Sequence, residues 1–294
     1  MKLGIHAMAW TPHWSDESIP LVDRVAALGL DFLEIPLMDV DDVHPGPIRR
    51  RLDAAGVDVV TSTVLSETTD ITSTDPEVRA SGVAYLRRCV DVTAELGATQ
   101  FSGVIYAMHG KRPRERPAGK DWAWSAECLA ATAEHAARLG IAIGIEPVNR
   151  YESALVNTCE QAVRLADMIG APNVRIHLDT YHMNIEEGFV GQAIEQCGRH
   201  LGYFHIGESH RGYLGTGTVD FTAVFRSLAR IGYDGPIAFE SFSSAVVDPV
   251  LSNMLGVWRN LWSDGYDLAR HAKAFMEAQL VSAAHAVAAE RAPT

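Results

Sequence analysis

Seven short stretches of this chain place a glycine just past a helix-like run. They read AALGLD, DAAGVD, AELGAT, ARLGIA, DMIGAP, RHLGYF and ARIGYD, and carry Gly29, Gly56, Gly97, Gly140, Gly170, Gly202 and Gly232. Glycine there can take the left-handed conformation that ends a helix, because it has no Cβ to clash. After nearly every one comes a short apolar run: FLEIPLM, VDVVTSTVL, TQFSGVIY, IAIGIEPV, VRIHLDT, YFHIGES or PIAFESF. With KLGIHAMAW at the start, that makes eight strands. The intervening segments carry their own helical signals. TDPEVRASGVAYLRRCVDVTAELG opens on Asp75 as N-cap and Pro76 at the first helical position, and its Val83, Leu86, Cys89 and Val90 share one face. DWAWSAECLAATAEHAARLG, VNTCEQAVRLADMIG and DFTAVFRSLARIG behave similarly. Eight strands alternating with helices, at intervals of roughly 30 to 40 residues, predict an α/β chain folded as a (β/α)8 barrel. A doubly wound open sheet fits less well, since no Gly-rich fingerprint follows the first strand and the candidate site residues come from too many strand ends. No linker or composition break interrupts the 294 residues, so one domain is expected, with an alanine-rich tail (VSAAHAVAAERAPT) from about residue 281.

The composition, 47% apolar and 21% charged, is that of a globular protein with a full-sized core. A formal charge of −12 argues against sequence-independent nucleic-acid binding, which needs a Lys/Arg-rich surface. The densest basic stretch, KRPRERPAGK from Lys111 to Lys120, contains Pro and Gly and reads as a solvated loop. No apolar run is long enough to span a bilayer, and MKLGIHAMAW lacks the features of a secretion signal, so no membrane partner and a cytoplasmic location are expected. Cys89, Cys128, Cys159 and Cys197 are widely separated in helical patterns, and read as reduced, partly buried core residues.

Within a barrel, chemistry sits at the C-terminal ends of the strands. Strand five ends in Glu146 (IGIEPVN), strand six in Asp179 (IHLDTYH), strand seven carries His205 (YFHIGES) and strand eight ends in Glu240 (IAFESF). Any one of them alone reads as a capped strand end or a salt bridge. Together they form a ring of three carboxylates and an imidazole, and no Lys lies in these four strands to balance the charge. Three oxygens and one nitrogen suit Mn²⁺, Mg²⁺ or Co²⁺ and leave two positions of an octahedron open. Glu152, His182 and Arg211 follow three of these strand ends by three to six residues and read as substrate contacts. GTGTVD is a weak phosphate-loop signal without a third Gly or a Lys, and reads as a turn into helix seven.

The longer motifs EPVNRYE, HLDTYHMNIEE, HIGESHRGYLGTG, IGYDGPIAFESF and GVWRN resemble the D-tagatose 3-epimerase, D-allulose (D-psicose) 3-epimerase and L-ribulose 3-epimerase family, within the xylose-isomerase-like TIM barrels. The resemblance spans residues 1 to about 280. It implies that Glu146, Asp179, His205 and Glu240 are metal ligands and that Glu146 and Glu240 are also the acid/base pair. It further implies that Glu152, His182 and Arg211 hold the O1–O3 end of a ketose, and that the metal is Mn²⁺ or Co²⁺ in a homodimer or homotetramer. The implied reaction interconverts C3 epimers of free ketohexoses and ketopentoses (D-fructose/D-allulose, D-tagatose/D-sorbose, L-ribulose/L-xylulose). C3 would lose a proton on one face and regain it on the other, through an enediolate.

Two places depart from the better-known hexose epimerases of that family. His6 in GIHAMAW stands where several relatives carry an aromatic residue, and ESFSS follows strand eight where others have Glu-Pro-Phe. Both bear on sugar preference, and His6 is expected at the substrate. Competing readings are an aldose–ketose isomerase of the hydroxypyruvate or rhamnose isomerase kind, and a non-catalytic sugar-binding barrel. The NRYE and HMNIEE matches favour the epimerase over the first. The presence of both acid/base carboxylates favours it over the second.

Overall fold

The computed structural model describes residues 1–113 and 115–291. Arg114, inside the basic stretch, and residues 292–294 of the alanine-rich tail lie outside the described residues. Eight strands, β1 (Leu3–His6), β2 (Phe32–Pro36), β3 (Asp58–Leu65), β4 (Gln100–Met108), β5 (Ala142–Ile145), β6 (Val174–Asp179), β7 (Leu201–Ile206) and β8 (Ile237–Phe239), pair in sequence order and close as a parallel barrel. Among the described residues ten α-helices surround them: α1 (Leu21–Leu28), α2 (Pro45–Ala55), α3 (Pro76–Leu96), α4 (Gly119–Arg138), α5 (Cys159–Ile169), α6 (Thr180–Glu186), α7 (Val190–Cys197), α8 (Phe221–Arg230), α9 (Pro249–Leu255) and α10 (Gly265–Arg291). The (β/α)8 barrel expected from the glycine beat is the fold.

The helix signals act where the sequence puts them. The Asp75 carboxylate accepts the N–H of Glu77 at the start of α3, and Leu86, Cys89 and Val90 are fully buried against the barrel. Six of the seven stop glycines have the left-handed φ they were read for. Gly202 is the exception. It lies inside β7, where a Cβ would stand 2.5 Å from the Arg175 side chain, and the preceding helix ends at Gly198 instead. The mistake has a physical source, because a glycine needed for close strand packing looks like a helix stop in sequence.

Side chains two apart on a strand face the same way, and this alternation builds the barrel interior. Phe32, Val60, Tyr203 and Ala238 form a small apolar cluster of their own, apart from the main core between strands and helices. Gly4 makes room for the Phe32 ring, which a Cβ there would overlap at 2.5 Å. Two residues further along β2, β7 and β8 stand Glu34, His205 and Glu240. The inside of the barrel thus changes from apolar to ionisable toward the strand ends.

The stretch Lys111–Lys120 is only partly a solvated loop. The Lys111 ammonium donates to Asp70 (2.6 Å) and to the Thr72 hydroxyl (2.9 Å), and Gly119 and Lys120 open α4. All four cysteines are buried free thiols. Residues 281–291 of the tail continue α10. No described helix is long and apolar enough to cross a membrane.

Candidate active site

The four strand-end residues converge. Among the described residues, donor atoms of Asp179, His205 and Glu240 lie within 4.8 Å of one another, as do those of Glu146, Asp179 and His182, and those of Glu146, His177 and His205. Glu146 and Glu240 fall in different groups of this set, linked through Asp179 and His205. His6, Glu146, Glu152, His182, His205, Arg211 and Glu240 all line one cavity, of about 590 Å³ counted to its open mouth. Asp179 lies behind them, fully buried, with one oxygen on the Tyr181 N–H at the start of α6.

Arg211 changes the charge argument made from sequence. Its Nη1 stands 2.9 Å from Asp179 Oδ2 and 2.6 Å from Glu240 Oε2, so the cluster does have a protein counter-ion, supplied by the loop after β7 and not by a strand. Among the described residues Arg211 is also the single non-glycine with positive φ, at 61°. The Ser241 hydroxyl donates to the Arg211 carbonyl and in turn accepts the Trp262 indole N–H at 2.8 Å. Sterically disfavoured backbone of this kind persists where its surroundings enforce it. Ser241 of the ESFSS departure therefore faces the Arg211 backbone, while Phe242 lines the cavity.

One cation against three carboxylates still leaves the site acidic. Burial and the carboxylates of Glu240 and Asp179 push the Glu146 carboxyl well above its usual range, although His205 opposes them. Burial raises the Glu240 carboxyl too, but Arg211 and His205 outweigh it and hold it well below. The two acidic groups of the expected pair are thus pushed in opposite directions.

The substrate-side residues are held by bonds that fix which atoms they present. The N–H and side-chain Nδ2 of Asn149 both donate to His182 Nδ1, at 3.2 and 2.9 Å. His182 Nε2 then faces Asp179 at 3.6 Å, Glu146 at 3.9 Å and the Arg211 guanidinium at 3.3 Å. Asn149 also donates to Glu152 Oε1 (2.7 Å), and His109 Nε2 lies 3.0 Å from Glu152 Oε2. Burial raises the Glu152 carboxyl, yet His182 and His109 hold it at about 2. His6 Nδ1 accepts the Met8 N–H (3.2 Å), which leaves its Nε2–H 3.7 Å from Glu34.

Glu34, His177, Asn149 and His109 were not singled out in the sequence. Glu34 had a legible signal, since FLEIP is an apolar strand with one carboxylate, the pattern that marks Glu240. Glu34 Oε2 accepts the Tyr203 hydroxyl (2.5 Å) and His205 Nε2–H (2.6 Å). Burial raises its carboxyl, but the imidazoles of His205 and His6 bring it to about 2. With Nε2 engaged, His205 Nδ1 has no hydrogen-bond partner and stands 3.5 Å from Glu240. A buried imidazole nitrogen facing carboxylate oxygens, with no donor or acceptor of its own, fits a divalent cation, and the oxygen-rich donor set favours a hard one.

The sequence profile of the xylose isomerase-like TIM-barrel family matches residues 22–275. The chain is 47% identical to a ketose 3-epimerase of Arthrobacter globiformis over 96% of its own length and 98% of that protein's. The chain belongs to the ketose 3-epimerases of this barrel family. It is 44% identical to an L-ribulose 3-epimerase of Methylomonas sp. (strain DH-1), with 94% and 97% of the two chains covered. A crystal structure of D-allulose 3-epimerase from Methylomonas sp. in complex with D-allulose superposes with a TM-score of 0.92 at 43% identity, covering 95% of this chain and 97% of that one.

Proposed function

We propose that this ketose 3-epimerase is metal-dependent and interconverts C3 epimers of free ketohexoses and ketopentoses, with Glu146 and Glu240 as the acid/base pair. The observation that carries the reading is the pair itself. Two buried carboxylates, directly after β5 and β8, line one cavity and join one cluster, with proton affinities pushed apart. Epimerisation takes a proton from one face of C3 and returns one to the other, which requires a base and an acid at the same time. Glu240, held ionised by Arg211 and His205, accepts the C3 proton. Glu146, whose burial favours the protonated carboxyl, delivers one from the opposite face, and the roles exchange in the reverse direction.

Glu146, Asp179, His205 and Glu240 would hold the ion, Mn²⁺ or Co²⁺ by their donor set with Mg²⁺ as the weaker alternative. Bound there, it would supply Lewis-acid polarisation of the C2 carbonyl. His182 Nε2 and the Arg211 guanidinium face the same space, suited to the O1–O3 end of the sugar, and Glu152 is an acceptor held ready by Asn149 and His109. His6 and the apolar side chains of Met8, Met38 and Phe242 line the same cavity and would meet the rest of the sugar. The proposal includes a homodimer or homotetramer, supported by large apolar side chains left exposed at Phe189, Val250 and Trp258.

The test is a panel of D-fructose, D-allulose, D-tagatose, D-sorbose and L-ribulose with chelator-stripped protein, before and after adding Mn²⁺, Co²⁺ or Zn²⁺. C3 epimers should form only with metal, and Mn²⁺ or Co²⁺ should restore more activity than Zn²⁺. Aldose products would make the protein a C1–C2 isomerase. Full activity in stripped, metal-analysed protein would end the metal-dependent reading.

A further inference from the structure

We propose that Glu34 is the positioning residue of the metal centre: it holds the Nε2–H of His205 and so turns Nδ1 toward Asp179 and Glu240. The inference rests on reading the cluster as a metal site and goes beyond it to a residue outside the ligand set.

Glu34 is fully buried within the barrel, and among the described residues no Lys or Arg pairs with it. Its Oε2 takes two donors, Tyr203 O–H and His205 Nε2–H, at 2.5 and 2.6 Å. Its Oε1 has no hydrogen-bond partner and faces the His6 Nε2–H at 3.7 Å. These three contacts are all made by donors. An imidazole can ligate only through a nitrogen that carries no proton. A carboxylate on Nε2 keeps the ring's proton there and leaves the Nδ1 lone pair for the ion. The ring is also walled in. His177 meets it edge-on with centroids 4.1 Å apart, and Tyr203 does so at 5.0 Å.

Glutamine has the shape of Glu34 but cannot do this work. If its oxygen takes the Oε2 position, its NH₂ faces the His6 Nε2–H, donor against donor. If the amide is reversed, the NH₂ faces His205 Nε2, which must then accept and carry its proton on Nδ1. Either arrangement weakens the ligand.

The experiment titrates chelator-stripped wild-type and Glu34→Gln proteins with Mn²⁺ and with Co²⁺, after circular dichroism has checked that both are folded. Glu34→Gln should bind metal about 10- to 100-fold more weakly, the usual cost of losing an outer partner of a ligating histidine. Proton NMR of the Co²⁺-loaded proteins adds a readout that loss of packing alone would not move. The wild type should show a hyperfine-shifted imidazole N–H in slow exchange with solvent, and Glu34→Gln should lose it. If the variant keeps that resonance and wild-type affinity within about threefold, Glu34 does not position His205. If the wild type itself binds neither ion, the metal-centre reading fails, and this inference fails with it. Should Glu34→Gln not fold, Glu34→Asp takes its place, keeping the charge but drawing the oxygens back by one methylene. It should bind at least about tenfold more weakly, and unchanged affinity there overturns the proposal equally.

Discussion

Glu240 is where ligand and base would coincide, and one substitution separates those duties. Glu240→Gln keeps an oxygen that can still face the ion but removes the group that accepts a proton. Metal affinity should fall modestly, while epimerisation at saturating metal should fall by roughly 10²–10⁴, the worth of a positioned acid/base group. Glu146 is untouched, so one epimer should still exchange its C3 hydrogen with solvent deuterium without becoming the other. Metal content, epimer formation and deuterium wash-in measured on one preparation decide the matter. Normal epimerisation by the metal-loaded variant would remove Glu240 from the mechanism. The same residue shows what a sequence makes legible at this scale. A carboxylate ending an apolar strand was visible at Glu146, Asp179 and Glu240, and the structure gathers all three with His205. Glu34 carries the same mark but sits mid-strand, and its partners come from β7, 169 and 171 residues away, so no local pattern shows its role. Arg211 was read as a substrate contact, and its pairing with two of the carboxylates depends on a left-handed backbone that no local pattern announces.

Elements position these residues through their ends and loops, and there the periodic signals lose force. The strand and helix alternation was readable because each unit repeats the same burial problem. What was not readable is the irregularity around the site. Between Val64 and Leu65 the β3–β4 register shifts, so that Leu65 pairs with Met108. Gly103, with φ of 126°, lets β4 pass the Thr63 carbonyl, which a Cβ would meet at 2.1 Å, and its own carbonyl accepts the Glu146 N–H. The loops after β3 and β4 are then tied together by Asp70, which accepts from the Thr72 N–H (2.9 Å), the Met108 N–H (3.1 Å) and Lys111 (2.6 Å). Burial raises the Asp70 carboxyl, but Lys111 and Thr72 outweigh it and hold it below the usual aspartate range. A carboxyl depressed on folding contributes stability that is complete above its unfolded pKa, near 4, and is lost as pH falls through the lower folded value. Asp70→Asn should therefore cost about 1–3 kcal/mol at pH 7, by leaving buried donors poorly matched. In urea titrations the gap between variant and wild type should close as pH is lowered from about 5 to about 3. A gap independent of pH would show that shape, not charge, holds the two loops.

For the whole molecule, the question is what secures the barrel where its last helix closes the ring of helices. The structure runs α10 through the tail from about residue 281 to Arg291, packed chiefly on α8. Two kinds of contact could matter there. Arg230 of α8 forms a two-pronged ion pair with Glu290, at 3.0 and 2.8 Å, but both side chains are more than 40% exposed. Such an exposed pair contributes little and is weakened further by salt. Ala283 and Val287, by contrast, are 3% and 4% exposed. Burying a valine side chain contributes roughly 1.5–3 kcal/mol, and removing the segment would also uncover the apolar surface beneath it. Apolar packing therefore outweighs the ion pair. A chain ending at Leu280 should melt lower than wild type by on the order of 5 °C, since 1 kcal/mol shifts a domain of nearly this size by about 2–4 °C. Glu290→Gln should shift the midpoint by no more than about 2 °C, and the shift should vanish in 0.5 M salt. Metal affinity should be unchanged in both, because these last turns touch a helix and not the strand ends that carry the ligands. If Glu290→Gln lowers the midpoint as much as the truncation does, charge and not packing fastens α10 to the barrel.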